Sequence, residues 1–468
     1  MRRSIAAVSA VFCCVFAAHA GETPSQRIAF GSCAHQDKPQ PIWDAVLAAK
    51  PEAFLLIGDA IYHDVIVDQS RKHETLAVKY ARLNAHPSFK KLRQSCPLLG
   101  TWDDHDYGLN DAGGEYPKKK ESQAAWLDFL GVPADSPRRK QEGVYNAQIF
   151  GPPDKSVQII LLDTRYFRGP LKKRAKFIPS EGPYDPNPDT TSSMLGETQW
   201  KWLEGQLKKP AAVRILCSSI QVIAQDHHHE KWYNLPHERD RLYKLIRETG
   251  AAGLFVISGD RHLAELSMMD AGIGYPLYDL TSSGLTQAFT KWRKLETNRH
   301  RVMTMNVGNN FGVIAVDWSR PDPVISLQVR DEVGDITIQE KLPLSALQPG
   351  TLKNKVVAGA VKINGEIFTL DLVKELLNKE VTLEMEVRAT GAAGGLIFLN
   401  SAVDRKSEDN FTVVLDKKAQ DKLKQDGIAS PRLHYERKAI RVTGILSTFR
   451  DAPQIIVSDP KRIQIESK

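Results

Sequence analysis

The sequence predicts an α/β domain followed by a smaller β-rich domain. Short apolar runs of strand length alternate with amphipathic helical patterns over residues 27–342. Polar residues directly follow several of these runs, as is typical of the carboxyl edge of an α/β sheet. After residue 343 short strand-like runs recur at a spacing that is typical of a small barrel.

The composition indicates a globular protein with more than one domain. The chain has 468 residues, and 42% of them are hydrophobic, which is enough for a sizeable core. The net charge of +7 is modest for this length and indicates a mild attraction for anionic substrates. Composition therefore points to no nucleic-acid partner, and it leaves the oligomeric state open.

The first twenty residues have the pattern of a bacterial secretory signal peptide. Arg2 and Arg3 precede an apolar run over residues 5–18, and Ala18-His19-Ala20 forms a small-residue cleavage site. The run is shorter than the roughly 20 residues that span a bilayer, which argues against a membrane anchor. We therefore expect residues 1–20 to be removed and the protein to be secreted or periplasmic. The two arginines leave both the general and the twin-arginine export routes open.

Three cysteines, Cys33, Cys96 and Cys217, lie outside the expected signal peptide. Their number is odd, and their spacing matches neither a disulfide framework nor a zinc ribbon. At least one thiol is therefore expected to be free or bound to a metal.

Periodicity predicts the elements of the α/β domain in order. Strands are expected over residues 27–30, 53–57, 157–162, 213–217, 253–257 and 311–316. Helices are expected over residues 42–49, 76–83, 121–130, 197–207 and 236–249. Residues 168–193 are rich in proline, glycine, aspartate and serine and have no apolar period, so they are predicted to form a long loop.

The pattern changes near Pro343, which places the domain boundary. We expect the α/β domain over residues 21–345, a linker over residues 346–353, and an accessory domain over residues 354–468. The accessory domain has predicted strands over residues 356–363, 380–390, 395–399, 410–415, 439–446 and 454–457, and predicted helices over residues 370–378 and 419–425.

Four polar segments at the expected ends of strands are the most informative feature of the chain. They are Gly31-Ser32-Cys33, Gly58-Asp59-Ala60-Ile61-Tyr62, Trp102-Asp103-Asp104-His105-Asp106 and Ser258-Gly259-Asp260-Arg261-His262. Strand ends share one edge of a sheet, so the four segments together predict one metal centre.

Each segment also has an ordinary structural explanation. Asp59 would serve as a loop residue or helix cap, Asp260 and His262 would make structural hydrogen bonds, and Cys33 would be a small buried side chain. The three carboxylates around His105 fit such an explanation poorly, because they repel one another unless a cation or hydrogen bonds offset the repulsion.

The four segments and Asp163-Thr164-Arg165, in this order, resemble the PhoD-like alkaline phosphatase family of metallophosphatases. The resemblance covers residues 27–316. It implies a calcineurin-like α/β fold, a sandwich of two β-sheets flanked by helices, with a metal centre at the strand ends. It also implies a metal-dependent phosphoric ester hydrolase, an alkaline phosphatase or phosphodiesterase, that acts by metal-hydroxide attack on phosphorus.

The resemblance further implies two sets of metal ligands. Fe³⁺ would be held by Cys33, Asp59, Tyr62 and His262. Asp59 would bridge to a second cation, Ca²⁺ or else Mn²⁺ or Mg²⁺, which Asp104, Asn110 and Asp260 would support. Thiolate and phenolate ligands favour a trivalent or softer metal, and carboxylate and amide oxygens favour a harder one, so the site is expected to be asymmetric.

Catalytic roles follow from the same resemblance. His105 would stabilise or protonate the leaving oxygen, held by an adjacent carboxylate such as Asp106. Arg165 would neutralise a substrate oxygen, or would instead form an internal salt bridge with Asp163. His227-His228-His229 is not expected to bind a metal, because three successive residues do not all face one ion.

The accessory domain resembles OB-fold domains appended to bacterial secreted proteins. Phe398-Leu399-Asn400, residues 410–414 and Arg441-Val442-Thr443-Gly444 carry this resemblance. OB-folds bind oligonucleotides or sugars through aromatic side chains, which are few here. A polymeric or nucleic-acid ligand and a packing or cell-envelope role are therefore both kept as alternatives.

The expected substrate of the metal centre is a phosphate ester. Phospholipase D-like or nucleotidase specificity at the same site remains an alternative. So does a non-catalytic protein that binds the cell envelope, in which the α/β domain would be a scaffold.

Overall fold

A computed structural model gives the fold of residues 25–178, 181–353, 361–364, 366–367, 373, 376–402, 410–449 and 452–466. The expected signal peptide, residues 1–20, lies outside these described residues. So do residues 354–360 and most of the helix predicted over residues 370–378. None of the helices within the described residues is both long and apolar enough to cross a membrane.

The first 343 residues contain fifteen strands and seven α-helices within the described part of the chain. The strands are β1 (Ser25–Gly31), β2 (Ala53–Ile57), β3 (Leu98–Thr101), β4 (Asn146–Phe150), β5 (Val157–Leu161), β6 (Lys172–Ile178), β7 (Gly182–Asp185), β8 (Val213–Cys217), β9 (Leu254–Ser258), β10 (Ala264–Met269), β11 (Leu277–Ser282), β12 (Arg301–Met305), β13 (Asn310–Asp317), β14 (Val324–Asp331) and β15 (Ile336–Pro343). The helices are α1 (Ile42–Ala48), α2 (Leu76–Ala85), α3 (Pro87–Ser95), α4 (Asp104–Tyr107), α5 (Lys119–Phe129), α6 (Gly196–Leu207) and α7 (Pro236–Thr249).

Two sheets form a sandwich. The first has the order β15-β14-β13-β1-β2-β3 and the second the order β12-β10-β11-β9-β8-β5-β4. Strands β1, β2 and β3 are parallel to one another, as are β5, β8, β9 and β11. The central strands β2, β5, β8 and β9 are buried along their whole length, because both faces of their sheets are covered.

The period of two along strand β1 separates the two cores. Ile28 and Phe30 face the layer between the sheets, where they join residues of the second sheet such as Ile215. Ala29 faces the opposite side and joins the cluster under helices α1, α2, α3 and α5, which includes Trp43. The predicted sandwich of two sheets flanked by helices is therefore confirmed.

Helix α7 shows how the local sequence sets its boundaries. Pro236 occupies its first turn, and Gly250 ends it in the left-handed conformation with φ of 63°. Its predicted limits, residues 236–249, agree with the structure.

The prediction of a structureless loop over residues 168–193 is wrong in part. Residues 172–185 contain the antiparallel hairpin of β6 and β7. Lys172, Lys173 and Lys176 are exposed on β6, so the strand has none of the apolar alternation that marks a half-buried strand. The hairpin is joined to the loop before α7 by a hydrogen bond from Tyr184 N to the carbonyl of His228, at 2.8 Å.

The C-terminal residues form a separate sheet. Its strands are β16 (Lys362–Ile363), β17 (Glu366–Ile367), β18 (Glu380–Glu386), β19 (Ala389–Ala393), β20 (Leu396–Asn400), β21 (Thr412–Leu415), β22 (Ala439–Phe449), β23 (Ala452–Val457) and β24 (Ile463–Ile465), and its helices are α8 (Lys417–Gln425) and α9 (Pro431–Tyr435).

The long strand β22 connects the two parts of the C-terminal sheet. Its first residues pair with β18 and β24, and its last four pair with β23. The order is β17-β16-β18-β22-β23-β21-β20-β19, with β24 beside β22, and no ladder within the described residues closes it into a barrel. The OB-like barrel therefore stays a prediction.

Leu203 tests the packing of helix α6 on the core. Its side chain is fully buried in the core cluster, so we expect Leu203→Ala to lower the free energy of unfolding by about 2–5 kcal/mol. Lys201→Ala, at an exposed position of the same helix, should change it by less than about 0.5 kcal/mol. Urea unfolding followed by circular dichroism measures both, and equal effects would contradict the assigned face of the helix.

Candidate metal centre

The predicted site residues come from strand ends that meet at one edge of the sandwich. Cys33, Asp59 and Asp104 follow the parallel strands β1, β2 and β3, and Asp260 and His262 follow β9 of the other sheet. The structure therefore brings the four polar segments together, as their positions after strands indicated.

The first group of donors consists of Cys33, Asp59, Tyr62 and His262. Asp59 Oδ2 accepts hydrogen bonds from the Cys33 thiol and the Tyr62 hydroxyl, both at 3.3 Å. The Tyr62 hydroxyl lies 3.0 Å from His262 Nε2. The thiol of Cys33, the imidazole nitrogen of His262, and the carboxylate and hydroxyl oxygens of Asp59 and Tyr62 thus lie around a common point.

The backbone at this edge is held in an uncommon conformation. Within the described residues nine non-glycine residues have a positive φ, and five of them are Cys33, Asp59, Asp111, Asp260 and His262. Such strain persists where the surrounding structure enforces it, and it is concentrated at functional sites.

Two glycines permit the close approach of these segments. A Cβ atom at Gly58, where φ is 113°, would lie 2.6 Å from the Cβ of Asp103. A Cβ atom at Gly259 would lie 2.5 Å from Ser32 Oγ. The glycine before each aspartate is therefore required by the contact between neighbouring strand ends.

The pKa values show that the first group is crowded with acidic donors. Burial and the neighbouring Asp59 carboxylate raise the pKa of the Cys33 thiol, and burial together with Cys33 and Asp59 raises that of Tyr62. Burial, with Arg261 and His105, lowers the pKa of His262 to about 3, so its imidazole is neutral. A neutral imidazole and acidic donors that lose a proton to a cation are the donor set of a transition-metal site.

The second group of donors lies on the other side of Asp59. Asp59 Oδ1 accepts a 3.4 Å hydrogen bond from the backbone N–H of His105, and Asp104 accepts from the same N–H at 2.8 Å. Carboxylate oxygens of Asp104, Asp111 and Glu230 also lie within 4.8 Å of one another. Burial and neighbouring acids raise the pKa of Asp260 and that of Asp111 to about 7 each. These oxygen donors fit a hard divalent cation.

Asp111 is a candidate site residue that the sequence analysis did not name, beside the expected ligand Asn110. Asn110, the expected amide ligand, is exposed; its side chain lines the cavity described below, and its backbone N–H donates to Asp64. The backbone N–H of Asp111 donates a hydrogen bond to Asp104 Oδ2 at 2.7 Å. The Asp111 carboxylate accepts one from the Tyr184 hydroxyl, also at 2.7 Å. Adjacency to Asn110 was the only signal for it in the sequence.

The carboxylate that holds His105 is Asp64 rather than Asp106. His105 Nδ1 lies 2.6 Å from Asp64 Oδ1. Asp106 accepts instead from the backbone N–H groups of Asp103 and Ala60, at 2.6 and 3.0 Å. Although burial opposes it, the carboxylates of Asp104, Asp59 and Asp64 raise the pKa of His105 to about 11. The expected partner is therefore corrected, because helix α4 directs Asp106 away from the imidazole and into the backbone.

Arg165 also differs from the expectation that it contacts substrate. Its side chain is completely buried and makes ion pairs with Asp103 and Glu230, both at 2.5 Å. The only hydrogen bond that Asp163 accepts from Arg165 comes from the backbone N–H, so the alternative ion pair between these two side chains is absent. Arg165 thus braces the strand ends from behind the site, and it neutralises Glu230, to which Arg168 is also paired.

The three histidines of the tract have different partners. His227 Nε2 bonds to Gln221, His228 Nδ1 lies 3.0 Å from the carbonyl of Tyr184, and His229 lies 3.6 Å from Glu296. Only His229 of the three lines the cavity at the site.

A cavity of about 350 Å³ opens onto both groups of donors. Its walls include the ligand candidates Asp104, Asp111, Asp260 and His262, and also His105. Pro183 and Tyr184 of the β6–β7 hairpin and Phe289 and Arg293 of the loop after β11 complete it. A phosphoryl group in this cavity would contact the candidate metal ligands and His105 together.

Arg165 provides a test of the buried ion-pair network. We expect Arg165→Met to lower the free energy of unfolding by about 3–5 kcal/mol, because it leaves the Asp103 and Glu230 carboxylates buried without their partner. Arg320→Met removes an exposed pair with Asp317 and should cost about 0–1 kcal/mol. Urea denaturation measures the two values, and a loss at Arg165 no larger than that at Arg320 would refute the bracing role.

Known proteins share the fold of this chain and match much of its sequence. The fold resembles a solved structure of PhoD, with a TM-score of 0.52 and 18% identity over 69% of this chain and 73% of that one. It also resembles the purple acid phosphatase PPD1 from yellow lupin seeds, with a TM-score of 0.47 and 10% identity over 69% of this chain and 55% of that one. No protein with a curated description matches the sequence.

The family of PhoD-like phosphatases matches residues 28–291. This segment is more than half of the chain and contains every candidate ligand named above. The chain therefore belongs to the PhoD-like phosphatase family and is a metal-dependent phosphoric ester hydrolase.

Proposed function

We propose that this phosphatase is an exported enzyme that hydrolyses phosphodiesters or phosphomonoesters at a dinuclear metal centre. The observation that carries the proposal is the position of Asp59 between the two groups of donors. Its Oδ2 faces Cys33 and Tyr62, and its Oδ1 faces the backbone of His105 beside Asp104. Asp59 belongs to two clusters of metal-binding groups, with Cys33 and His262 in one and with Asp104 and His105 in the other. A carboxylate with one oxygen toward each cluster is suited to bridge two cations.

The two clusters differ in their preferred metal. Cys33, Tyr62, Asp59 and His262 suit Fe³⁺, because thiolate and phenolate are strong anionic donors. Asp104, Asp260, Asn110 and the bridging Asp59, together with Asp111, suit Ca²⁺, or else Mn²⁺ or Mg²⁺. Bound cations would supply Lewis acidity toward the phosphate and activate a water molecule.

The remaining chemistry is assigned to side chains of the chain itself. His105 lines the cavity and is fixed by Asp64, so it is placed to donate a proton to the leaving oxygen of the ester. Its ring also packs against Tyr62, with 4.2 Å between centroids, which limits its rotation. Asp64 thus positions His105, the proposed acid, and Tyr62 limits the rotation of its ring.

The proposal of export rests on the signal pattern of residues 1–20. Phospholipase D-like and nucleotidase activities use the same phosphoryl chemistry at the same site. A non-catalytic envelope-binding role is disfavoured, because it gives no reason to retain so many buried acidic donors at one edge. For the C-terminal sheet, an OB-like domain that binds a polymer remains a prediction.

The bridging role of Asp59 is tested by removing one charge. We expect Asp59→Asn to lose at least one of two bound metals per chain and to hydrolyse aryl phosphates about a thousandfold more slowly, because the cations supply several kcal/mol of charge stabilisation. Elemental analysis and release of p-nitrophenol measure the two effects. Asp154→Asn, at an exposed position, is the matched control and should change neither. Full metal content with undiminished turnover in Asp59→Asn would exclude the dinuclear proposal.

The acid role of His105 has a distinct kinetic signature. His105→Asn should lower kcat by about 10²–10⁴-fold for glycerol phosphate, whose leaving group requires a proton. It should lower kcat much less for p-nitrophenyl phosphate, whose leaving group departs as an anion. Asp64→Asn should show the same pattern with a smaller loss. An equal loss on both substrates would indicate that His105 serves binding or metal retention instead.

A further inference from the structure

We propose that the segment of residues 289–294, here called the mouth segment, selects phosphoesters that carry a nucleobase. In this proposal Arg293 binds a phosphate oxygen inside the cavity, and Trp292 stacks on the base outside it. The inference rests on the proposed function, since it assigns a substrate class to the same site. Arg293 and Trp292 lie just beyond the residues that match the family, 28–291.

Arg293 is held in position to meet an anion. Its guanidinium carbon lies 3.6 Å from the centroid of the Phe289 ring, and Nη2 donates to Glu296 at 3.0 Å. Its Nε is buried and has no hydrogen-bond partner among the described residues. The side chain lines the same cavity as Asp260 and His262. A planar guanidinium with a donor still free is well suited to an oxygen of a phosphate group.

The charge on this side of the cavity favours an anionic ligand. Arg261 and Arg293 share one carboxylate, that of Glu296, which accepts from Arg261 Nη2 at 2.5 Å. Asp260 offers Arg261 a longer contact of 3.4 Å and belongs to the candidate metal ligands. Once Asp260 binds a cation, the carboxylate of Glu296 is the one negative charge that balances the guanidinium groups of Arg261 and Arg293.

Trp292 immediately precedes Arg293 and is oriented to solvent. Its side chain is 77% exposed, more than any other large apolar side chain within the described residues. Lys291 and Lys294 flank this pair and are also exposed. An exposed indole among cationic side chains is the arrangement with which proteins bind the bases and the backbone of nucleotides.

The β6–β7 hairpin also borders the cavity. The β6–β7 hairpin contributes Tyr184 to the cavity, and it has the exposed Lys172, Lys173 and Lys176 on its first strand. A cavity of about 350 Å³ is at the lower end of the range for ligand pockets, so a larger substrate extends past the mouth. The part that extends would lie near the hairpin and the mouth segment, both of which carry exposed lysines.

A nucleotide ester fits these features better than a phospholipid. Both ligands present a phosphate, but interfacial binding to a membrane requires an extended apolar face. The mouth segment offers one exposed indole between two lysines, with Phe289 turned toward Arg293. One ring is enough to stack on one base.

The experiment compares two inhibitors that differ only in the base. Adenosine 5′-monophosphate and ribose 5-phosphate compete with the aryl phosphate that the metal-loaded full chain hydrolyses, p-nitrophenyl phosphate or its bis ester. We expect the inhibition constant of the adenosine compound to be about 5- to 150-fold lower, which is the stacking contribution of one base. In Trp292→Ala the two constants should approach each other, and in Trp292→Phe the ratio should persist.

Variants at two further positions separate the parts of the proposal. Arg293→Ala should raise both inhibition constants by the same factor, about tenfold or more, because both compounds present the phosphate. Leu433→Ala, at an exposed position of helix α9, should leave both constants unchanged.

Four outcomes would overturn the inference. A ratio near one in the wild type, or a ratio unchanged in Trp292→Ala, would show that no base is recognised by this segment. If the protein sediments with anionic vesicles, and Trp292→Ala abolishes this binding without changing the ratio of inhibition constants, then Trp292 binds a lipid surface. Absence of aryl phosphate hydrolysis in the metal-loaded wild type would remove the proposed function and this inference with it.

Discussion

The fold of this phosphatase depends on how it stabilises several buried carboxylates at one edge of a sandwich. Carboxylates that are buried away from water repel one another strongly, so hydrogen bonds or opposite charges must offset the charge of each one. Asp106 is compensated by two backbone N–H groups, and Asp103 by Arg165 and the Ser219 hydroxyl. These two carboxylates hold the strand ends together.

Asp59, Asp260 and Asp111 are crowded by neighbouring acids. Burial raises the pKa of each of them, and those acids add to the effect. Burial also raises the pKa of Asp103 and that of Asp106, so position rather than pKa separates the two sets of acids. Asp260 and Asp111 line the cavity, whereas Asp103, Asp106 and Arg165 lie behind it.

Much of this site could be predicted from positions along the sequence, because a strand end fixes where the next few residues lie. Cys33, Asp59, Asp104 and Asp260 are within three residues of a buried strand, and the structure brings them together. Asp64 and Glu230 are reached only through loops, and no local pattern places them beside His105 or Arg165. The hairpin β6–β7 was missed for a related reason, because its stability comes from contacts with another loop and its strands have no apolar period.

The pairing of β1 with β13 determines when the site can form. Strand β1 holds Cys33 at its end and is among the first elements to be synthesised, yet its neighbour on one side is β13, which follows every candidate ligand in the chain. Contacts between such distant parts of a chain form late in folding, because a long loop must close before they stabilise anything. Ligand assembly therefore waits for nearly the whole domain, and a ribosome-bound fragment that ends before β13 would hold the ligands and the second sheet but lack half of the first sheet.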